Sequence, residues 1–407
     1  MNERIRWPAH YTLIVLVVAA VFISYVDRTS ISVGVIAMQT QLGWNETQKG
    51  LVLSSFFIGY IALMLASGVV ANRYGGELVL GIAVLLWSLF TILTPPAALA
   101  SLSTLVVARI ALGAGEAALI PSSMNMIARW VPKAQRSRAV ALITSVASLS
   151  TVFALSVTGW MVHRYSWKTP FYVFGVVGLL WVASWFARMS RGYGMQEPVS
   201  RTGRSIPWSA LLRLRPLWAI VVTSFCFTWS FYVLGAWLPS YLKITFGVSL
   251  VNAGVLSAAP WLASFFCGNA AGYIADRMLH AGISATFVRK LMQTTGLVVG
   301  GMMLSLLPAA SSLTAAVAVM SVATGAFAIC YGGYSPNPFD IAPRYADVIW
   351  GLSNTFGALP GIIGVYATGW MVDRTGSFAT PFYVTAGISF FGALIFLVFG
   401  SGKQLIE

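Results

Sequence analysis

Two short stretches hold the residues with the most chemistry to offer. In YVDRTSISV, Asp27 and Arg28 are adjacent; in ARIALGAGEAALIP, Arg109 and Glu116 stand seven apart. Both stretches lie inside long apolar runs. An arginine offers a planar fork of donors matched to a carboxylate or a phosphate. A carboxyl poised between burial and a neighbouring guanidinium is able to take up and release a proton. Two of each leave the empty set neutral, and an anion plus a proton adds no net charge. The alternative is a static salt-bridge network that only holds helices together. If the surrounding runs cross a membrane, each charge costs roughly 2.5–3.5 kcal/mol, so four cost on the order of 10 kcal/mol before pairing. Residues kept at that cost face a bundle interior and mark a substrate or proton path.

Spacing limits how they point. Seven residues are two helical turns, so Arg109 and Glu116 share a face about 10 Å apart. Adjacent helical residues diverge by about 100°. Asp27 and Arg28 therefore separate, with Arg28 expected toward a cavity and Asp27 into the packing of its own half.

The elements that carry these groups read as membrane helices. Of 407 residues, 58% are hydrophobic and 9% charged, against about 25% charged in soluble domains. Apolar runs of roughly 20 residues are expected at 11–38, 48–71, 78–96, 102–128, 138–162, 169–187, 217–242, 251–275, 288–308, 313–338, 348–372 and 380–400. The fold class is an all-α membrane protein with twelve spans. The first run follows a basic start, yet it is long and lacks a small-residue cleavage site, so it reads as a span rather than a signal peptide.

The phrase GWMVHRYSWKTPFYV from Gly159 recurs as GWMVDRTGSFATPFYV from Gly369. It marks the junction of spans five and six, then that of eleven and twelve. The chain is therefore two parallel six-helix halves, 1–187 and 217–407, joined by a charged linker at 188–216. Parallel halves of this kind build alternating-access transporters with a site at the half–half interface.

The net charge of +14 follows topology rather than nucleic acid binding, because the cations sit between apolar runs. Eighteen of the 25 Lys and Arg lie on the side of the chain termini, five on the other, and Arg28 and Arg109 within spans. That bias places both termini in the cytoplasm. Cys226, Cys267 and Cys330 read as small core residues. His10, His163 and His280 form no cluster, and no metal or cofactor is expected. No nucleophile–histidine–acid set or phosphate-cradling loop with lysine is present, so the chain does not read as an enzyme.

The loop GVVANRYGGEL resembles the signature of the major facilitator superfamily, with Asn72 in place of the acid and Glu77 where a base is common. Five stretches more closely resemble the anion:cation symporter family, which includes sialin, vesicular glutamate, sodium/phosphate and bacterial sugar-acid transporters. They are YVDRTSISV, SSFFIGYI, ARIALGAGEAALIPSSMNMIARWVP, DIAPRYADVIWGLSNTFGALPG and the terminal FGSGKQLIE. The resemblance implies the major facilitator fold and proton coupling through Asp27 and Glu116. It also implies substrate binding by Arg28, Arg109, Tyr60 and Asn354. Phe227 and Leu53 stand where glutamate carriers have arginine and histidine, and Ala147 where sugar-acid permeases have glutamine. A hydroxylated monocarboxylate fits these departures better than glutamate.

Tyr232 of span seven is a further candidate for substrate contact. YGGYSPNPF breaks span ten and reads as a bending gate or a helix end; Gly113 and Gly115 permit close helix approach. The expected protein is a monomer in a lipid bilayer, most simply a bacterial inner membrane. It takes up a small organic anion with H+; Na+-driven phosphate or anion transport, or anion exchange or export, is the alternative.

Overall fold

The computed structural model describes residues 9–189 and 206–406. The first half holds α1 (Ala9–Leu42), α2 (Glu46–Tyr74), α3 (Gly76–Ala100), α4 (Leu102–Glu116), α5 (Leu119–Trp130), α6 (Lys133–Arg164) and α7 (Thr169–Met189). A short α8 (Trp208–Leu212) follows. The second half holds α9 (Arg215–Phe246), α10 (Leu250–His280), α11 (Ala285–Leu306), α12 (Leu313–Ile329), α13 (Asn337–Ile341), α14 (Ala346–Thr375) and α15 (Ala379–Phe399). Much of the expected linker at 188–216 lies outside the described residues.

Among the described residues, twelve segments are long and apolar enough to cross a membrane. The protein is an integral, multi-pass membrane protein built of two six-helix bundles. With lipid as solvent, backbone polar groups must be satisfied within each segment, which favours helices. The halves repeat one packing scheme. α1 lies against α6 and α7 as α9 lies against α14 and α15; α2 lies against α4 as α10 lies against α12. The halves meet chiefly through α2 with α14 and α6 with α10, and α1 also touches α9 and α10.

Two spans are interrupted, and they occupy equivalent places. The fourth breaks at Ala117–Ala118, just past Glu116. The tenth breaks after Ile329, at the glycines and prolines of YGGYSPNPF, and resumes as α13. Arg289 of α11 braces this second break, donating to Asp340 at 2.7 Å and to the Gly332 carbonyl at 3.0 Å. Gln293 accepts from the Tyr334 N–H and donates to Thr223. The freed backbone groups are thus met by neighbouring helices.

Close approach explains Gly113 and Gly115. A Cβ on Gly113 would sit 2.0 Å from the Phe56 carbonyl oxygen of α2, and one on Gly115 would sit 3.2 Å from the Trp87 nitrogen of α3. One expectation is corrected. Cys226 and Cys330 are buried, whereas Cys267 is exposed on α10 beside Phe266, itself 67% exposed. On a lipid-facing helix an apolar side chain loses nothing by being outside.

Candidate functional site

Helix α1 splits Asp27 from Arg28, as its geometry requires. Asp27 is 1% exposed, and neither carboxylate oxygen accepts a hydrogen bond. It shares its surroundings with Thr91 of α3, Arg109 and Glu116. Arg28 turns the other way, into a cage of rings. Its guanidinium carbon lies 4.3 Å from the centroid of Phe56, 4.9 Å from Tyr60, 5.2 Å from Phe57 and 6.0 Å from Tyr25. The ring faces attract the cation but accept none of its in-plane hydrogen bonds, and its Nε and Nη2 have no partner.

Helix α4 carries the second pair. Arg109 is buried, 5.6 Å from the same Phe56 ring, with Nε and Nη1 unpaired. Glu116 is the last residue of α4. One of its oxygens accepts from the Ser24 hydroxyl at 2.9 Å, tying α4 to α1, and the other has no partner. Among the described residues, the ion pairs within 4.0 Å are Lys49–Glu46 and Arg289–Asp340; none joins the four central charges. Buried polar groups are ordinarily satisfied. Here atoms of two arginines and two acids are buried without a hydrogen-bond partner.

The second half completes the walls. Tyr232 of α9 has its ring 4.5 Å from Phe57 and lies in the field of Arg28. Tyr60 stacks on Phe56 at 5.7 Å. Tyr331, in the break of span ten, is 43% exposed, with its ring 5.3 Å from Phe227. Tyr334 joins it, 5.4 Å from Phe227.

Asn354 sits half-buried on α14, one turn before Gly357, and none of the contacts that assemble the cage involves it. Ser24, Tyr25, Phe56, Phe57, Tyr331 and Tyr334 were not singled out as site residues from sequence. Tyr25 is one turn before Arg28, and Phe56 and Phe57 one turn before Tyr60. That spacing was the available signal.

The loop after span two is tied within its own half. Asn125 donates to Asn72 at 2.8 Å, and the Trp130 indole donates to Glu77 at 2.5 Å.

The family model of the Major Facilitator Superfamily matches residues 17–365. Sodium-dependent phosphate transport protein 1, chloroplastic, of Arabidopsis thaliana is 35% identical over 420 residues, covering 99% of this chain and 81% of that protein. The chain belongs to the major facilitator superfamily, in its anion:cation symporter branch.

This transporter is also similar to the chloroplastic ascorbate transporter of Arabidopsis thaliana, at 33% identity over 99% of this chain and 77% of that one. Among solved structures, a D-xylose–proton symporter aligns with a TM-score of 0.76 at 15% identity, covering 97% of this chain and 99% of that one. A bacterial homologue of the lysosomal transporter Spinster, inward-facing and occupied, gives 0.75 at 17%, covering 96% and 95%. These structural likenesses bear on fold alone. The chain is an anion transporter of this superfamily rather than an enzyme.

Proposed function

We propose that the transporter moves a small organic monocarboxylate together with a proton by alternating access. One observation carries the reading: Arg28 and Arg109 keep buried donors without partners, and of the four oxygens of Asp27 and Glu116 three have no hydrogen-bond partner. A carboxylate on the guanidinium forks supplies the missing acceptors. Tyr60 and Tyr232 would orient its hydroxyls, and Asn354 would reach it from α14 as the halves close. Asp27 and Glu116 have oxygens free to take a proton. Glu116 shares α4 with Arg109 and is bonded to α1 through Ser24, so loading the acid and loading the anion act on the same two helices. The arrangement needs one chain only, and we take a monomer to be the working unit.

The test is uptake into proteoliposomes under an imposed pH gradient, with labelled sugar acids, other monocarboxylates and phosphate offered in turn. The expected result is gradient-driven uptake of a monocarboxylate that is unchanged when choline replaces sodium. Glu116→Gln should abolish the response to the gradient while leaving one-for-one exchange of the anion. Uptake that requires sodium, or a Glu116→Gln protein still driven by the gradient, would overturn the proton reading.

Sodium-driven movement of phosphate or another anion is the second reading, favoured by the printed name of the 35% identical relative. Loss of transport in choline selects it. The cation bias supports a topology with both termini on the cytoplasm-like side. The bacterial inner membrane expected from sequence draws no support from relatives whose names are chloroplastic.

A further inference from the structure

The repeated phrase is not part of the cage. Both copies lie at the end of the bundle away from the termini, and each presses a glycine against the other half. A Cβ on Gly369 of α14 would be 2.3 Å from the Glu46 carbonyl oxygen at the start of α2. One on Gly159 of α6 would be 3.0 Å from the Leu250 carbonyl oxygen at the start of α10. One turn later the partners answer with glycines of their own. A Cβ on Gly50 would lie 3.4 Å from the Gly369 Cα, and one on Gly254 would lie 3.4 Å from the Gly159 Cα. The phrase recurs because the same seal is made twice.

The copies differ in one chemically decisive place, where His163 corresponds to Asp373. The N-terminus of α10 is capped by its own Ser249, which accepts from Asn252 N–H. At α2, the carboxylate of Asp373 crosses from the other half. It accepts from Glu46 N–H at 3.0 Å, from Thr47 N–H at 2.9 Å and from the Thr47 hydroxyl at 2.5 Å. Asn45 takes the next donor, Gln48 N–H, at 2.8 Å. Together the two side chains satisfy three orphan N–H groups of the first turn, where the helix dipole also favours a negative charge. Beside them Lys49, with no exposed surface, is held by Glu46 and Gln39 and lies 4.9 Å from the Trp237 ring of the second half.

We infer that Asp373 is the latch of this end: a positioning residue that holds α2 to α14 while the site is closed on that side, and that must let go for it to open. This rests on the alternating-access reading. Helix α2 also carries Phe56, Phe57 and Tyr60, so the latch acts on the cage through one rigid element. The seal is asymmetric, with a carboxylate lock at α2–α14 and, among the described residues, no hydrogen bond between α6 and α10.

The experiment places spin labels at Tyr165→Cys and Thr245→Cys, exposed positions on opposite halves at this end, in a chain whose three cysteines are replaced by serine. Distances are read in liposomes. Asp373→Asn keeps the shape and removes the charge, and should raise the long-distance population about tenfold, as expected for losing charge-assisted hydrogen bonds. Thr47→Val removes one donor of three and should give a smaller rise. Asp373→Glu should restore most of the short-distance population. In uptake, Asp373→Asn should change the maximal rate more than the half-saturating concentration.

Unchanged distances in both Asp373→Asn and Thr47→Val would overturn the latch, whatever the uptake shows. Absence of uptake in the unsubstituted protein would sink the transport reading instead, while leaving the distance result to stand on its own.

Discussion

At the scale of single residues, the site is a matter of hydrogen-bond geometry more than of charge. Arg28 and Arg109 each have unpaired donors in one plane, and their faces are already taken by rings. A lysine keeps the charge but loses the fork and the flat face. Arg28→Lys and Arg109→Lys should therefore each cut uptake at least about tenfold with the protein still folded, read by initial rates against thermal unfolding in detergent. Ser24→Ala should be milder. It frees a second oxygen of Glu116 at a cost of about 1–2 kcal/mol, read as a small drop in the unfolding temperature. The four charges were legible in the sequence because a charge in lipid is expensive and has to be explained. Phe56, Phe57, Tyr25 and Tyr331 were not, because aromatics make up 13% of the chain and cost nothing in an apolar run. Only the folded chain shows which of them surround a guanidinium.

At the scale of elements, periodicity of apolar runs gave the spans and their number, because segment length is dictated by bilayer thickness. Breaks inside spans were read unevenly. YGGYSPNPF announces its own interruption, while the break after Glu116, set by Pro121 four residues past Ala117, was not read from sequence. Pro121 has no N–H for the Ala117 carbonyl, and the Ser67 hydroxyl of α2 takes that carbonyl instead at 3.0 Å. α4 is also pinned against α2 through Gly113 and against α3 through Gly115. These glycines belong to one half and stay packed whatever the halves do. Gly113→Leu should thus cost stability outright, about 3 kcal/mol or more from overpacking against backbone, seen as a lower unfolding temperature and poor recovery from the membrane.

At the scale of the whole molecule, glycines at the half–half contact obey a different logic from those inside a half. A Cβ on Gly254 would lie 2.3 Å from the Leu155 carbonyl oxygen, and one on Gly369 would lie 2.3 Å from that of Glu46. Both contacts join backbone of one half to backbone of the other, so no side-chain rotation relieves the clash. Rigid halves can relieve it only by parting at that end. Each bundle is otherwise closed on itself through its own helix pairs, repeated in both halves, and so remains intact when they part. Gly254→Leu and Gly369→Leu should therefore leave the unfolding temperature within a few degrees of the parent while abolishing transport. The same pair of spin labels at Tyr165 and Thr245 should report mainly the long distance. A Gly254→Leu protein that unfolds as readily as Gly113→Leu would mean that the halves do not move as separate bodies. Normal transport by that protein would mean that the close contact at Gly254 is not needed in any state the carrier visits.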